Sequence, residues 1–267
     1  MYRVGLIGAG NMGRAMMSAW LGSGVLAPDE ITVTDKEPSK SESAAAEFGV
    51  ALGTGVAEVA SSSQIVVLAV KPQDSALVLD EVAGKLPEDG VFLSIAAGLT
   101  IGSMRKRLGE GPTIVRVMPN MAAQVNAAVS AFAVDAGTGK FDKEVVRELL
   151  GAIGEVEEVD EKLMDLVTAV SGSGPAYFFY LTEVMEKAAI EQGLPPEIAR
   201  KLARETLWGA AKTIKEKGTD PGDLRKAVSS PGGTTLAALS EMDSSGFADM
   251  MKRAIDAATR RAGELAQ

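Results

Sequence analysis

A chain of 267 residues, 46% hydrophobic and 24% charged, is long enough for one large globular domain or two ordinary ones. Its net charge of −9 excludes nucleic acid and anionic membrane as main partners, because neither attracts an acidic body. Histidine and cysteine are both absent, which excludes an imidazole base, a Ser-His-Asp triad, a thiol nucleophile, a disulfide framework and the usual transition-metal sites; no metal is expected. Proton transfer is left to hydroxyls, carboxylates, lysines, water or the substrate, a setting that suits chemistry carried by a cofactor. No apolar run is long enough to span a bilayer, and the N-terminus passes directly into a strand pattern, so a cytoplasmic protein is expected.

The first predicted strand is Tyr2–Ile7, followed by Gly8-Ala9-Gly10-Asn11-Met12-Gly13 and a helix from Arg14 to about Gly22. This is G-x-G-x-x-G in its required setting between strand and helix. Gly8 allows the tight turn, Gly10 lets backbone approach a pyrophosphate, and Gly13 permits close helix–strand packing; Asn11 and Met12 complete the cradle. S-adenosylmethionine or flavin is a weaker alternative to a nicotinamide dinucleotide. A second strand, Ile31–Thr34, is closed by Asp35, the position expected for an acid on the adenosine ribose. Lys36 follows at once and Lys40 lies nearby, and either could pair with a 2′-phosphate, so NADH and NADPH both stay open.

Strands at Gln64–Val70, Val91–Ile95, Thr113–Met118 and Ala128–Val134 alternate with helices at Lys40–Phe48, Ser75–Lys85, Ile101–Leu108 and Lys143–Ile153. Such alternation predicts a doubly wound parallel sheet whose ligands sit off the carboxyl ends of the strands. Three strand ends carry suitable loops: Ala69-Val70-Lys71-Pro72-Gln73, Ala96-Ala97-Gly98 and Pro119-Asn120. Ala69, Val70, Lys71, Pro72, Ala97 and Gly98 are therefore candidate cofactor contacts.

Beyond Glu155–Val159 no strand pattern is found. The division predicted is a dinucleotide-binding domain over residues 1–160 and a helical substrate-binding and dimerisation domain over 161–267. Helix runs from Leu163 to about Gln192, interrupted at Ser171-Gly172-Ser173-Gly174-Pro175; others span Glu197–Lys217, Pro221–Val228 and Ala237 to the C-terminus. Several are apolar on more than one side, and a bundle with no sheet to cover buries its second face against another subunit. Between two helices lies Val228-Ser229-Ser230-Pro231-Gly232-Gly233-Thr234-Thr235, where the glycines bare amides at a helix start and hydroxyls surround them, a setting for an anion. A dinucleotide half plus an anion loop suggests hydride transfer to a small carboxylated substrate. Reduction of a protonated C=N bond needs no protein acid, which agrees with a chain lacking histidine. A hydroxyacid dehydrogenase using Lys162 or Lys187, and a non-catalytic dinucleotide-binding regulator, are the alternatives.

Taken together, Gly8–Gly13, Ala69–Gln73, Ser171–Tyr177 and above all Val228–Thr235 resemble pyrroline-5-carboxylate reductases along essentially the whole chain. The resemblance implies an N-terminal Rossmann-type sheet and an all-α dimerisation domain, with NAD(P)H-dependent reduction of 1-pyrroline-5-carboxylate to L-proline, the last step of proline biosynthesis. It further implies homodimers, often assembled further, with an active site between the dinucleotide domain of one subunit and the helical loop of its partner. By position, Ser230, Gly232, Gly233 and Thr234 would hold the substrate carboxylate, Thr235 would be the catalytic hydroxyl on the ring nitrogen, and Asn120 would lie near the nicotinamide and substrate. Met121-Ala122 stands where the family usually has Thr-Pro.

Overall fold

In the computed structural model, which describes residues 3–135 and 140–265, the chain forms two compact units. Residues up to Ser173, together with those from Ala258 onward, make the first; Gly174–Ala257 make the second.

The first unit is an eight-stranded sheet. Its strands are β1 (Val4–Ile7), β2 (Ile31–Thr34), β3 (Ala51–Leu52), β4 (Ile65–Leu68), β5 (Val91–Ser94), β6 (Thr113–Met118), β7 (Ala128–Val134) and β8 (Gly154–Glu158), and their spatial order is β3-β2-β1-β4-β5-β6-β7-β8. Tyr2, the expected first strand residue, lies outside the described residues. The helices between strands are α1 (Asn11–Ser23), α2 (Pro38–Phe48), α3 (Val56–Ser62), α4 (Ser75–Val82), α5 (Ile101–Leu108) and α6 (Lys140–Gly151). Residues of β1 divide between the two faces: Val4 and Leu6 join Met16, Met17 and Trp20 of α1, whereas Ile7 joins Val59 of α3, Leu79 of α4 and Met104 of α5. Burial on both faces explains why the strands read as continuous apolar runs. The Trp20 indole N–H donates to the Leu149 carbonyl at 2.8 Å, tying α1 to α6 inside the core.

The expected doubly wound sheet is present, with one departure. β7 runs antiparallel to β6, pairing Val115 with Val134. The connection from Pro119 to Ala127 holds only a 3₁₀ turn, Met121–Val125, and is too short for the crossover that a parallel neighbour needs. Strand β3 and helix α3 fall between Phe48 and Gln64, where the sequence pattern assigns no element; β3 has two residues and both are exposed. After β8 the chain makes a short helix, α7 (Met164–Val167), and a π-helical turn over Thr168–Gly172. On β6 the buried Arg116 donates to Asp165 of α7 at 3.0 Å and lies 3.6 Å from Glu161, which itself accepts the Ile101 amide at 2.6 Å. This network fastens the start of α5 and the α7 segment to β6.

The second unit contains α8 (Gly174–Glu191), α9 (Pro196–Lys217), α10 (Pro221–Ala227), α11 (Thr234–Ser244) and most of α12 (Phe247–Leu265). Pro196 and Pro221 stand in the first turns of α9 and α10, where a missing amide costs nothing. The single helix expected from Ala237 onward is instead two, because the chain turns at Ser245-Gly246. Within Gly174–Ala257 only Gly174, Ala199 and Ala203 are buried. Phe178, Phe179, Tyr180, Leu202 and Trp208 stay more than half exposed.

Candidate active site

One candidate feature is a cavity of about 810 Å³ along the carboxyl ends of β1, β4, β5 and β6. Gly10, Asn11 and Met12 line it, with Ala69, Val70, Lys71 and Pro72 from the loop after β4 and Ala97 after β5. Gly8 turns the chain out of β1 with φ +115°, and a Cβ there would stand 2.5 Å from the Ala69 carbonyl oxygen. A Cβ on Gly13 would run into the Gly8 carbonyl oxygen, so α1 can sit this close to the turn only with glycine. A Cβ on Gly10 would meet nothing within 4 Å, so packing within the chain does not itself demand glycine there. Helix α1 has no side-chain cap and no acid in its first turn, so its leading amides face the cleft ready for an anion. These features fit a dinucleotide pyrophosphate.

Asp35 and Lys36 line a different cavity, of about 270 Å³, which also contains Asp74, Glu81 and Leu77. The two oxygens of Asp35 are engaged with backbone: one accepts the Ala9 amide at 2.8 Å and the other the Glu37 amide at 2.9 Å. Asp35 thus clamps the glycine turn to the loop after β2. Lys36 donates to both Asp74 oxygens at 2.8 Å. Gly98 and Asn120 do not line the larger cavity; the Asn120 carboxamide oxygen caps the Met121–Val125 turn by accepting the Ala122 amide at 3.2 Å. Met121-Ala122 is therefore held in a capped 3₁₀ turn directly after β6.

The cleft also brings in Lys40, and with it residues that the sequence motifs do not flag, Arg14, Ser39 and Ser43 at one side and Met118 with Ile95 at another. Lys40 alone of these was raised as a cofactor contact. Ser39 and Ser43 sit one helical turn apart at the start of α2, a spacing that identifies their shared face once the helix is known to begin at Pro38.

A second candidate feature lies in the helical unit. Ser230-Pro231-Gly232-Gly233 is a tight turn closed by the Gly233 amide donating to the Ser230 carbonyl at 2.9 Å, with Gly232 at φ +72°. A Cβ on Gly233 would strike the Ser230 hydroxyl. Gly233 is the N-cap of α11 and offers no side-chain cap, and the first turn carries no acid. The Ser229 hydroxyl donates to the Arg225 carbonyl at 2.7 Å. The hydroxyls of Ser230, Thr234 and Thr235, by contrast, make no hydrogen bond among the described residues. Amides and three hydroxyls at one helix start are groups of the kind that can donate to a carboxylate. Because the Gly233 amide is already engaged, the amides open at this helix start are those from Thr234 onward.

Residues 161–265 match the family model described as pyrroline-5-carboxylate reductase dimerisation, and residues 3–98 match that of the NADP oxidoreductases, coenzyme F420-dependent. The pyrroline-5-carboxylate reductase of Arabidopsis thaliana is 36% identical over 266 residues, covering 100% of this chain and 96% of that relative. The chain belongs to the pyrroline-5-carboxylate reductase family. The reductase of Methanosarcina acetivorans is likewise 36% identical, over 98% of this chain and 97% of its own. Among solved structures, the reductase of Coxiella burnetii superposes with a TM-score of 0.92 at 32% identity, covering 100% of this chain and 99% of that one. The Plasmodium falciparum pyrroline carboxylate reductase, solved with NADP bound, superposes with a TM-score of 0.86 at 26% identity, over 100% and 98% of the two chains.

Neither lysine of the alternative dehydrogenase suits proton donation in such a family member. Hydrogen bonding to Asp160 raises the pKa of Lys162, and hydrogen bonding to Glu183 raises that of Lys187. A catalytic acid works best with a pKa near the operating pH, which calls for the opposite shift. Among the described residues, no helix is long and apolar enough to cross a membrane.

Proposed function

We propose that this chain reduces the C=N bond of 1-pyrroline-5-carboxylate to give L-proline, with NADH or NADPH as reductant. The division of labour is between residues 1–160, which hold the dinucleotide, and 161–267, which hold the substrate carboxylate and assemble the dimer. When bound, the reduced nicotinamide supplies a hydride. Gly10, Asn11 and Met12 would seat its pyrophosphate against the α1 amides, and Lys71 with Pro72 would flank the ribose side; Ala97, Gly98 and Asn120 would border the nicotinamide end.

The observation that supports the substrate half is the uncapped start of α11, at which the Ser230, Thr234 and Thr235 hydroxyls have no partner among the described residues. The amides and the Ser230 hydroxyl hold the carboxylate. The Thr235 hydroxyl orients the ring nitrogen. An iminium arrives with its proton from solvent, takes the hydride at carbon and leaves as an amine, so the chain needs to supply no proton. That balance agrees with a protein lacking histidine. In line with the family resemblance, the loop of one subunit serves the cofactor cleft of its partner.

The test is oxidation of NADH and of NADPH by the purified protein with pyrroline-5-carboxylate, run beside a panel of 2- and 3-hydroxy acids in the reverse direction. Turnover with the imino acid and silence on the panel is the expected result. Turnover on the hydroxy acids alone supports the dehydrogenase, and cofactor binding without turnover on either supports a regulator.

A further inference from the structure

Two polar residues stand side by side in the apolar interior of the sheet. Ser94 closes β5 and Arg116 is its register partner on β6; both are buried, at 0% and 5% exposure. Between them they govern the two ends of the loop after β5, whose Ala96 and Ala97 line the larger cavity. At the near end the Ser94 hydroxyl accepts the Ala96 amide at 3.2 Å. The loop then turns, with the Leu99 amide donating to the Ala96 carbonyl at 3.4 Å and Gly98 at φ +79°. At the far end the Ile101 amide, the first of α5, donates to Glu161 at 2.6 Å, and Glu161 in turn lies 3.6 Å from the Arg116 guanidinium. Helix α5 has no acid in its own first turn, so Glu161 is the carboxylate that answers its open amides and its dipole. Beyond Ser94 and Glu161, no side chain from outside the loop and α5 hydrogen-bonds to Ala96–Ile101 among the described residues.

We propose that Glu161, steadied by Arg116, is a positioning residue for the cofactor cleft. By accepting the Ile101 amide it fixes the far end of the loop after β5, and with it the wall that Ala96 and Ala97 present to a bound dinucleotide. This rests on the reading that the larger cavity takes a nicotinamide dinucleotide. A buried guanidinium is costly unless its charge is matched, and Asp165 at 3.0 Å already matches that of Arg116. Neutralising Arg116 therefore does not call for a second carboxylate. Glu161 makes its short contact with backbone, 2.6 Å to the Ile101 amide against 3.6 Å to Arg116. The two acids share Arg116 but differ in what else they hold: Asp165 makes no hydrogen bond to the loop after β5. That difference separates positioning from general support of the fold.

The experiment compares Glu161→Ala, Glu161→Gln and Asp165→Ala by fluorescence titration with NADH and NADPH, and by amide hydrogen exchange of the unliganded protein. Each alanine takes one carboxylate from Arg116, so both should lower the urea midpoint. Only Glu161→Ala is expected to raise the Kd of both dinucleotides, by about five- to tenfold, a part of what one charge-assisted hydrogen bond is worth. It alone should also speed exchange over residues 96–101. Glu161→Gln keeps an acceptor for the Ile101 amide and should stay within about twofold of the wild type in Kd. Equal weakening in the two alanine variants, a glutamine variant as weak as Glu161→Ala, or an unchanged Kd in Glu161→Ala would overturn the proposal. If Glu161→Ala does not fold, Ser94→Ala frees the near end of the same loop; a raised Kd supports the proposal and an unchanged one overturns it. A wild type that binds neither dinucleotide defeats the cleft reading and the proposal built on it, whereas wild-type binding with any of the contrary patterns defeats the proposal alone.

Discussion

Thr235 follows the Gly232-Gly233 turn at the start of α11, and its hydroxyl has no partner among the described residues. Elsewhere in the helices threonine hydroxyls fold back: Thr182 and Thr213 each donate to the carbonyl four residues earlier at 2.7 Å. Four residues before Thr235 the chain is still in its turn, at Pro231, so the hydroxyl stays available. A hydrogen bond to a charged group contributes about 1.5–3 kcal/mol, so Thr235→Ala should lower kcat/KM for pyrroline-5-carboxylate by roughly 10- to 100-fold. Thr235→Ser should recover most of it. Steady-state kinetics showing an unchanged value for the alanine variant would remove Thr235 from the reaction. Asp35 behaves differently, because it anchors backbone. Asp35→Ala releases the Ala9 and Glu37 amides together and should raise the Kd of NADH and NADPH alike, by about tenfold for the loss of one such bond. Fluorescence titration that moved only the ratio of the two would show the carboxylate facing the ribose instead. The motif marks Asp35 as a candidate for the ribose, yet spacing holds no record of which amide a carboxylate accepts. Nor can it reveal that Lys36 finds Asp74, a partner beyond two helices and two strands.

At the scale of elements, the π-helical turn over Thr168–Gly172 deserves a test of its own, since such widened turns gather at functional sites. It brings Gly172 against Met118, the last residue of β6, which lines the cofactor cleft. A Cβ on Gly172 would stand 2.6 Å from the Met118 terminal methyl. That methyl ends a flexible side chain, so Gly172→Ala should cost only about 1 kcal/mol in urea unfolding, at the low end for overpacking. The displaced Met118 should raise the KM for cofactor severalfold, and Met118→Ala in the same chain should reverse the increase. An unchanged KM in Gly172→Ala would mean the methyl moves away from the cleft. Sequence made the Ser171–Pro175 interruption visible through its glycines and proline. It gave no sign of a π turn, because only the hydrogen-bond offset distinguishes that from an ordinary helix. The antiparallel β7 was hidden for a related reason: Ala128–Val134 is apolar on both faces, so its residues pair equally well in either direction, and the short connection decides.

For the molecule as a whole, the two units differ in how far one copy can stabilise them. The sheet unit buries Trp20, Phe92 and Phe132 completely, while the helical unit buries only Gly174, Ala199 and Ala203 and leaves large apolar side chains in water. Helices without a packed face are marginal, because conformational entropy is not offset by burial. The match of residues 161–265 to a dimerisation model supplies the missing partner, a second copy of this chain. Coupling of the helical unit's folding to such assembly would make its stability depend on protein concentration. Tenfold dilution weakens a dimer by about 1.4 kcal/mol, which over the unfolding entropy of both chains lowers Tm by roughly 1–2 °C. Circular dichroism at 222 nm (about the helix minimum) should report that shift in the helical signal. Phe179→Asp offers the complementary test: at 54% exposure the ring contributes little core within one copy, so a charge there should leave the sheet unit folded. It should nonetheless convert the species seen in sedimentation to a monomer with reduced helicity. A dimer of wild-type mass in that variant, or a Tm indifferent to dilution, would place the assembly face elsewhere.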